Sequence, residues 1–106
     1  MQIKSGVKLT ALAPQLLVGL MALHEEYDKL NVEVVITSGT DGRHSVGSKH
    51  YRGDALDIRT RNLPDPQTTA PQIVHRLRGQ LGPDFDILFE TDHIHMEYDP
   101  KRPEDG

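Results

Sequence analysis

Apolar residues recur at helical spacing in two stretches of the chain. In APQLLVGLMALHEEYDKL, one apolar stripe predicts an amphipathic helix with Pro14 in its first turn. In TTAPQIVHRLRGQLG, a second stripe predicts a helix with Thr68 or Thr69 as N-cap and Gly82 just beyond its end. The stripe residues are Leu16, Leu20, Leu23, Tyr27 and Leu30 in the first helix, and Ala70, Ile73, Val74, Leu77 and Leu81 in the second.

Four short stretches have the composition or alternation of β-strands. They are VEVVITSG and ALDIRT between the two helices, and FDILFE and HIHMEY after the second helix. The dipeptide TD between the last two strands predicts a tight hairpin. Strands and helices do not alternate regularly, which favours an α+β fold in which the helices pack on one face of a small, mainly antiparallel sheet.

The segment GTDGRHSVGSKHYRGD between the first two strands predicts a long loop. A loop of this length in a small domain is usually functional or disordered. The chain has 106 residues, so we expect a single domain, 1–106, that ends in a polar tail from about residue 99.

Composition excludes several classes of function. The formal net charge is −4 with scattered basic residues, so we expect no nucleic-acid partner and no membrane binding. There is no cysteine, which leaves histidine and carboxylate as the side chains available for zinc. No apolar h-region of a signal peptide stands at the start. We therefore expect the protein to be cytoplasmic in the producing cell, and any release to act on a cell wall to use a route that the sequence does not encode. We also expect a monomer.

Strand parity brings several polar side chains together. In HIHMEY, His93 and His95 share the face opposite to the apolar residues, and in ALDIRT Asp57 lies opposite to the core positions. His50, in the preceding loop, can reach the same open face. Taken singly, a loop histidine or a strand aspartate is most often a solvated surface residue, and Asp92 most often a turn residue. Their joint occurrence with matched parity favours a site.

A His, Asp, His set has the chemistry of a catalytic zinc site. Such sites commonly use three nitrogen and oxygen ligands and leave a fourth position for water. The metal lowers the pKa of that water towards about 7, and hydrolysis then needs a general base. Asp92, three residues before His95, is close enough to act as that base.

Two motifs carry a resemblance to a known family. SKHYRGDALD matches SxHxxGxAxD at Ser48, His50, Gly53, Ala55 and Asp57, and DHIH looks like a second motif with an acidic residue three before a histidine. Together they resemble the zinc D-Ala-D-Ala carboxypeptidase and L-alanyl-D-glutamate endopeptidase family, which has the hedgehog/DD-peptidase fold. The resemblance covers roughly residues 9–98.

The resemblance implies roles for individual residues. It implies one zinc ion held by His50, Asp57 and His95. Asp92 resembles the family's catalytic acid/base, and His93 resembles a histidine that stabilises the oxyanion. The resemblance further implies that the substrate is a peptidoglycan stem peptide, which the motif residue Ser48 would help to bind.

The chain departs from the family at the residue that polarises the substrate. Many members have SGYR after the first strand, whereas this chain has SGTD, with Asp41 at the arginine position. Arg43 is the nearest replacement, and Arg52 and Arg59 are alternatives. Glu90 is interpreted as a charged strand end rather than as a residue that orients a metal ligand. Glu97 shares the face of the two histidines but is interpreted as too far along its strand to join the site.

The sequence therefore predicts a zinc peptidase that cleaves a bond in bacterial cell-wall peptides and is similar to a phage or prophage lysin domain. The alternative is a non-hydrolytic zinc-binding module, or a virion structural domain of the same fold. A small-molecule or nucleic-acid binder comes third. Asp92 separates the first two, because a binding site needs ligands but no base. The sequence does not decide between carboxypeptidase and endopeptidase.

Overall fold

The computed structural model of the chain describes residues 1–9, 12–39 and 55–100. Within these ranges the elements are β1 (Gln2–Ile3), α1 (Pro14–Lys29), β2 (Val35–Ser38), β3 (Ala55–Arg59), α2 (Pro66–Leu81), β4 (Phe85–Glu90) and β5 (His93–Tyr98). The strands form one sheet in the order β1-β2-β3-β5-β4. This arrangement confirms the α+β class.

The sheet is mixed rather than wholly antiparallel. The pairings of β2 with β3, β3 with β5 and β4 with β5 are antiparallel, as expected. β1 pairs with β2 in parallel, and the sequence analysis did not predict this strand. Two residues are too few to produce a hydrophobic period, so β1 is recognisable only from its pairing with Val35 and Ile36.

The two helices and one face of the sheet enclose the core. The predicted stripe positions of α1 from Leu16 to Tyr27 are buried. The helix-facing strand residues that are buried with them are Ile36, Leu56, Ile58, Ile87, Ile94 and Met96. α1 approaches the sheet closely at Gly19, where an added Cβ would lie 2.8 Å from the Phe85 ring and 2.9 Å from the Met96 sulfur. The opposite face of the sheet carries polar side chains, and we call it the open face because no described helix packs on it.

A group of charged residues joins α1 to α2, and we call Glu26, Lys29 and Arg76 the helix-interface cluster. Glu26 is only 4% exposed, and its carboxylate accepts hydrogen bonds from Arg76 at 2.7 Å and from Lys29 at 3.2 Å. Burial alone would raise the pKa of Glu26, but these hydrogen bonds and the two positive charges lower it overall. The buried carboxylate is therefore ionised and charge-paired.

The start of α2 and the last predicted core position of α1 differ from the prediction. α2 begins at Pro66 with Asp65 as N-cap, so Thr68 and Thr69 lie inside the helix and their amides donate to the Asp65 carbonyl. The N-cap prediction was wrong because Pro66 fixes a helical φ earlier than the threonines. Gly82 caps the end of α2, as predicted. At the end of α1, Leu30 is 37% exposed and lies outside the core.

In the part of the chain that the structure describes, neither helix is long and apolar enough to span a membrane.

Candidate metal and catalytic site

The central contact of the candidate site joins two neighbouring strands. Asp57 on β3 is directly opposite His95 on β5, and both side chains lie on the open face of the sheet. The Asp57 Oδ1 and His95 Nδ1 atoms are 2.8 Å apart. Both side chains are less than one-fifth exposed. An imidazole nitrogen and a carboxylate oxygen placed side by side are the kinds of donor that zinc takes.

Glu97 contacts the other side of the same imidazole. Its Oε1 atom lies 2.8 Å from His95 Nε2, and its side chain is 19% exposed. The expectation that Glu97 lies too far along the strand was wrong. Residues two apart on a strand share a face at a spacing that a glutamate can span, and this spacing was visible in the sequence.

The two carboxylates control the charge of His95. The hydrogen bond with Asp57 raises the pKa of His95 to about 9; burial opposes this increase, and the hydrogen bond with Glu97 adds to it. At neutral pH, His95 is therefore an imidazolium that donates to both carboxylates. A metal ion bound by this ring would have to displace a proton.

His93 and Asp92 lie at the same end of the open face, beside the β4–β5 turn. His93 Nδ1 is 2.9 Å from Asp92 Oδ1, and its Nε2 is 3.8 Å from Asp57 Oδ1. The hydrogen bond with His93 lowers the pKa of Asp92, whose side chain is 82% exposed. We call Asp57, Asp92, His93, His95 and Glu97 the open-face cluster.

The backbone holds this cluster in place. β4 ends at Glu90 and β5 begins at His93, so Thr91 and Asp92 form the predicted two-residue turn. The Thr60 amide donates to the Asp92 carbonyl at 3.3 Å, which ties the turn to the end of β3. The Glu90 carboxylate is 3.8 Å from His93 Nε2 and half exposed, so it is a peripheral member of the site at most.

α1 supports β3 from beneath the sheet. Tyr27 is fully buried, and its hydroxyl donates to the Arg59 carbonyl at 2.7 Å. Burial raises the pKa of Tyr27 far above its ordinary value, so the hydroxyl remains protonated and remains a donor. Arg59 directly follows Ile58 and is paired with His93, so this hydrogen bond positions the β3 end of the site.

A polar pocket opens beside the cluster. Asp57, Asp92 and His93 form one side of it. The other lining residues, contributed by the β1 end, β2 and β3, are Lys4, Thr37, Ser38, Arg59 and Arg61. Sequence reasoning missed Lys4, Thr37 and Ser38, which become neighbours of the site only through the strand order β1-β2-β3. It also missed Arg61, which lies two residues beyond Arg59 at the end of β3.

Other predicted site residues fall outside the described part of the chain. His50, Ser48 and Arg43 belong to residues 40–54, and the structure describes neither their positions nor the predicted long loop. The structure therefore brings Asp57, Asp92, His93 and His95 together. The zinc ligand set with His50 stays a prediction.

A second group of acidic side chains shares Glu97 with the open-face cluster. Among the described residues, carboxylate oxygens of Asp86, Glu97 and Asp99 lie within 4.8 Å of one another. Oxygen-only ligands suit harder cations than zinc. This group contains none of the predicted zinc ligands, but it adds negative charge beside His95.

Comparisons with protein-family models, curated proteins and solved structures find no match for the chain. The interpretation of the site therefore depends on its own geometry and on the two sequence motifs.

Proposed function

We propose that this protein is a zinc-dependent peptidase with a hedgehog/DD-peptidase-like fold that hydrolyses a peptide bond in the stem peptides of bacterial cell wall. One observation carries the proposal. Asp57 and His95 are in contact on the open face, and Asp92 and His93 lie beside them at the adjoining turn. The two sequence motifs predict that these four residues lie together in one site.

The donor atoms fit a zinc ion. Asp57 and His95 would hold the metal together with His50, and zinc held in this way would lower the pKa of a water molecule towards about 7. Glu97 would then orient the His95 ring through the nitrogen that does not bind the metal. A carboxylate in this position fixes the tautomer of the ring.

Asp92 and His93 would perform the proton transfer and the charge stabilisation. The Asp92 carboxylate, which lies at the turn beside the cluster, would accept a proton from the attacking water. It would return that proton to the leaving amine. His93 is close enough to Asp57 to donate a hydrogen bond to the carbonyl oxygen of the scissile bond as negative charge develops there.

Digestion of purified peptidoglycan tests the proposal. The zinc-loaded protein should release new free amino groups, and mass analysis of the fragments should identify the bond that is cut. A chelator should stop the release, and added zinc should restore it. His95→Ala should be inactive, whereas His24→Ala, in α1 and away from the open face, should cut normally. A protein that binds zinc but cuts no wall material would support the alternative of a non-hydrolytic zinc-binding module.

A further inference from the structure

Three positively charged residues line the pocket beside the open-face cluster. Lys4 follows β1, Arg59 is the last residue of β3, and Arg61 lies just after β3. All three face the same pocket as Asp57 and Asp92. The pocket thus has an acidic side that belongs to the proposed catalytic centre and a basic side contributed by other strands.

These three cations are available to a ligand. Within residues 1–9, 12–39 and 55–100, the side chains of Lys4, Arg59 and Arg61 make no ion pair and no hydrogen bond. Arg76 and Arg78, the other arginines in the described part of the chain, show the contrast. Arg76 binds Glu26, and Arg78 donates to the Ile87 carbonyl.

We propose that Arg59, assisted by Arg61 and Lys4, binds a free carboxylate of the peptide substrate close to the scissile bond. This inference rests on the proposed function. A guanidinium group offers paired donors that match a carboxylate, and it stays charged at every relevant pH. Arg59 was one of the alternatives to Arg43 for an arginine that acts on the substrate, and its place in the pocket favours it for this contact.

The spacing along β3 indicates which residue of the substrate carries this carboxylate. Arg59 is two residues from Asp57 on the same face, and two residues of a strand span about 7 Å. One or two residues of an extended peptide cover the same distance. The carboxylate thus belongs to a residue next to the scissile bond or to the one after it.

Two kinds of carboxylate occur in stem peptides at this distance, namely the C-terminal carboxylate and the α-carboxylate of an isoglutamyl residue. The test uses synthetic stem peptides in which one or the other is replaced by a carboxamide. Binding is measured by calorimetry on the zinc-loaded Asp92→Asn protein, which should leave the peptides intact and which serves as the parent for the variants below. Because binding is measured rather than cleavage, a failure of the hydrolytic proposal can be distinguished from a failure of this one.

We expect one of the two carboxamides to bind the parent protein about ten- to a hundredfold more weakly than the acid. In Arg59→Gln, acid and amide should bind equally, and zinc content should be unchanged. Arg78→Gln is the matched control and should keep the preference. The proposal is overturned if neither carboxamide weakens binding to the parent. It is also overturned if Arg59→Gln keeps the preference for the acid. If Arg43→Gln then abolishes that preference, Arg43 binds the carboxylate instead.

Discussion

The helix-interface cluster and the open-face cluster both contain carboxylates that are shielded from water, but the partners of those carboxylates differ. In the first, one carboxylate has two cationic partners, Lys29 and Arg76. In the second, the carboxylates of Asp57, Asp92 and Glu97 contact two imidazoles. Among the residues that the structure describes, the first carboxylate is therefore paired with lysine and arginine, whereas the second cluster places nitrogen and oxygen donors side by side on one face of the sheet.

This difference separates a structural site from a candidate functional one. A buried carboxylate that is paired with arginine and lysine needs no further ligand. Carboxylates that surround histidines on an open face are complementary to a metal cation. Substitutions in the first cluster should therefore change stability, and substitutions in the second should change metal binding or catalysis.

The largest effect is expected at Asp92. Asp92→Asn keeps the size of the side chain but cannot take up a proton. It should lower the rate of wall-peptide hydrolysis by about 10²-fold or more, while zinc content and melting temperature stay those of the parent. Asp28→Asn, on the exposed side of α1, is the matched control and should have full activity. Full activity of Asp92→Asn would move the base elsewhere, with Glu90 the next candidate.

The next effect concerns stability at the helix interface. Arg76→Met leaves Glu26 with Lys29 alone and should lower the free energy of unfolding by about 1–2 kcal/mol, less than for a fully buried pair because Arg76 is half exposed. Lys29→Met should cost less, because Lys29 is 68% exposed. Urea denaturation measures both variants. Equal losses would contradict the expected order of the two variants. A loss of zinc in Arg76→Met would contradict the separation of the two clusters.

The same cluster should make the protein sensitive to acid. The folded pKa of Glu26 lies below its ordinary value of 4.5. Its stabilising contribution is therefore present above pH 4.5 and is lost as the pH falls through the lower, folded pKa. Urea denaturation between pH 7 and pH 3 should show that the difference between the parent and Arg76→Met shrinks on acidification. A difference that stays constant over this range would exclude Glu26 as the source.

The smallest effect is expected where the two regions meet. Tyr27 follows Glu26 in α1 and donates to the Arg59 carbonyl behind the open face. Tyr27→Phe should lower the free energy of unfolding by about 1 kcal/mol, since one buried hydrogen bond is lost. Zinc affinity should not change. A variant as stable as the parent in thermal denaturation would show that this hydrogen bond makes no net contribution.

The sequence predicted the features that depend on local periodicity. Alternation along HIHMEY and ALDIRT placed Asp57, His93 and His95 on one face, and the register of β3 with β5 makes Asp57 and His95 neighbours. The sequence did not predict what depends on strand order. The two-residue strand β1 carries no period, yet its pairing with β2 brings Lys4 to the pocket.

Glu97 shows a second limit of sequence reasoning. Its face was correctly predicted, but its contact with His95 depends on the side-chain conformation of a long residue, which alternation does not specify. The N-cap of α2 was missed although the sequence carried its signal. Aspartate is a preferred N-cap residue and Pro66 suits the first helical position, so Asp65 was a better candidate than Thr68 or Thr69.

Zinc titration of the metal-free protein by calorimetry tests the central claim most directly, namely that the open-face cluster exists to hold a cation. We predict one zinc ion per chain, with binding lost in His95→Ala and kept in Arg76→Met. The absence of zinc binding by the parent protein, or undiminished binding by His95→Ala, would contradict the account.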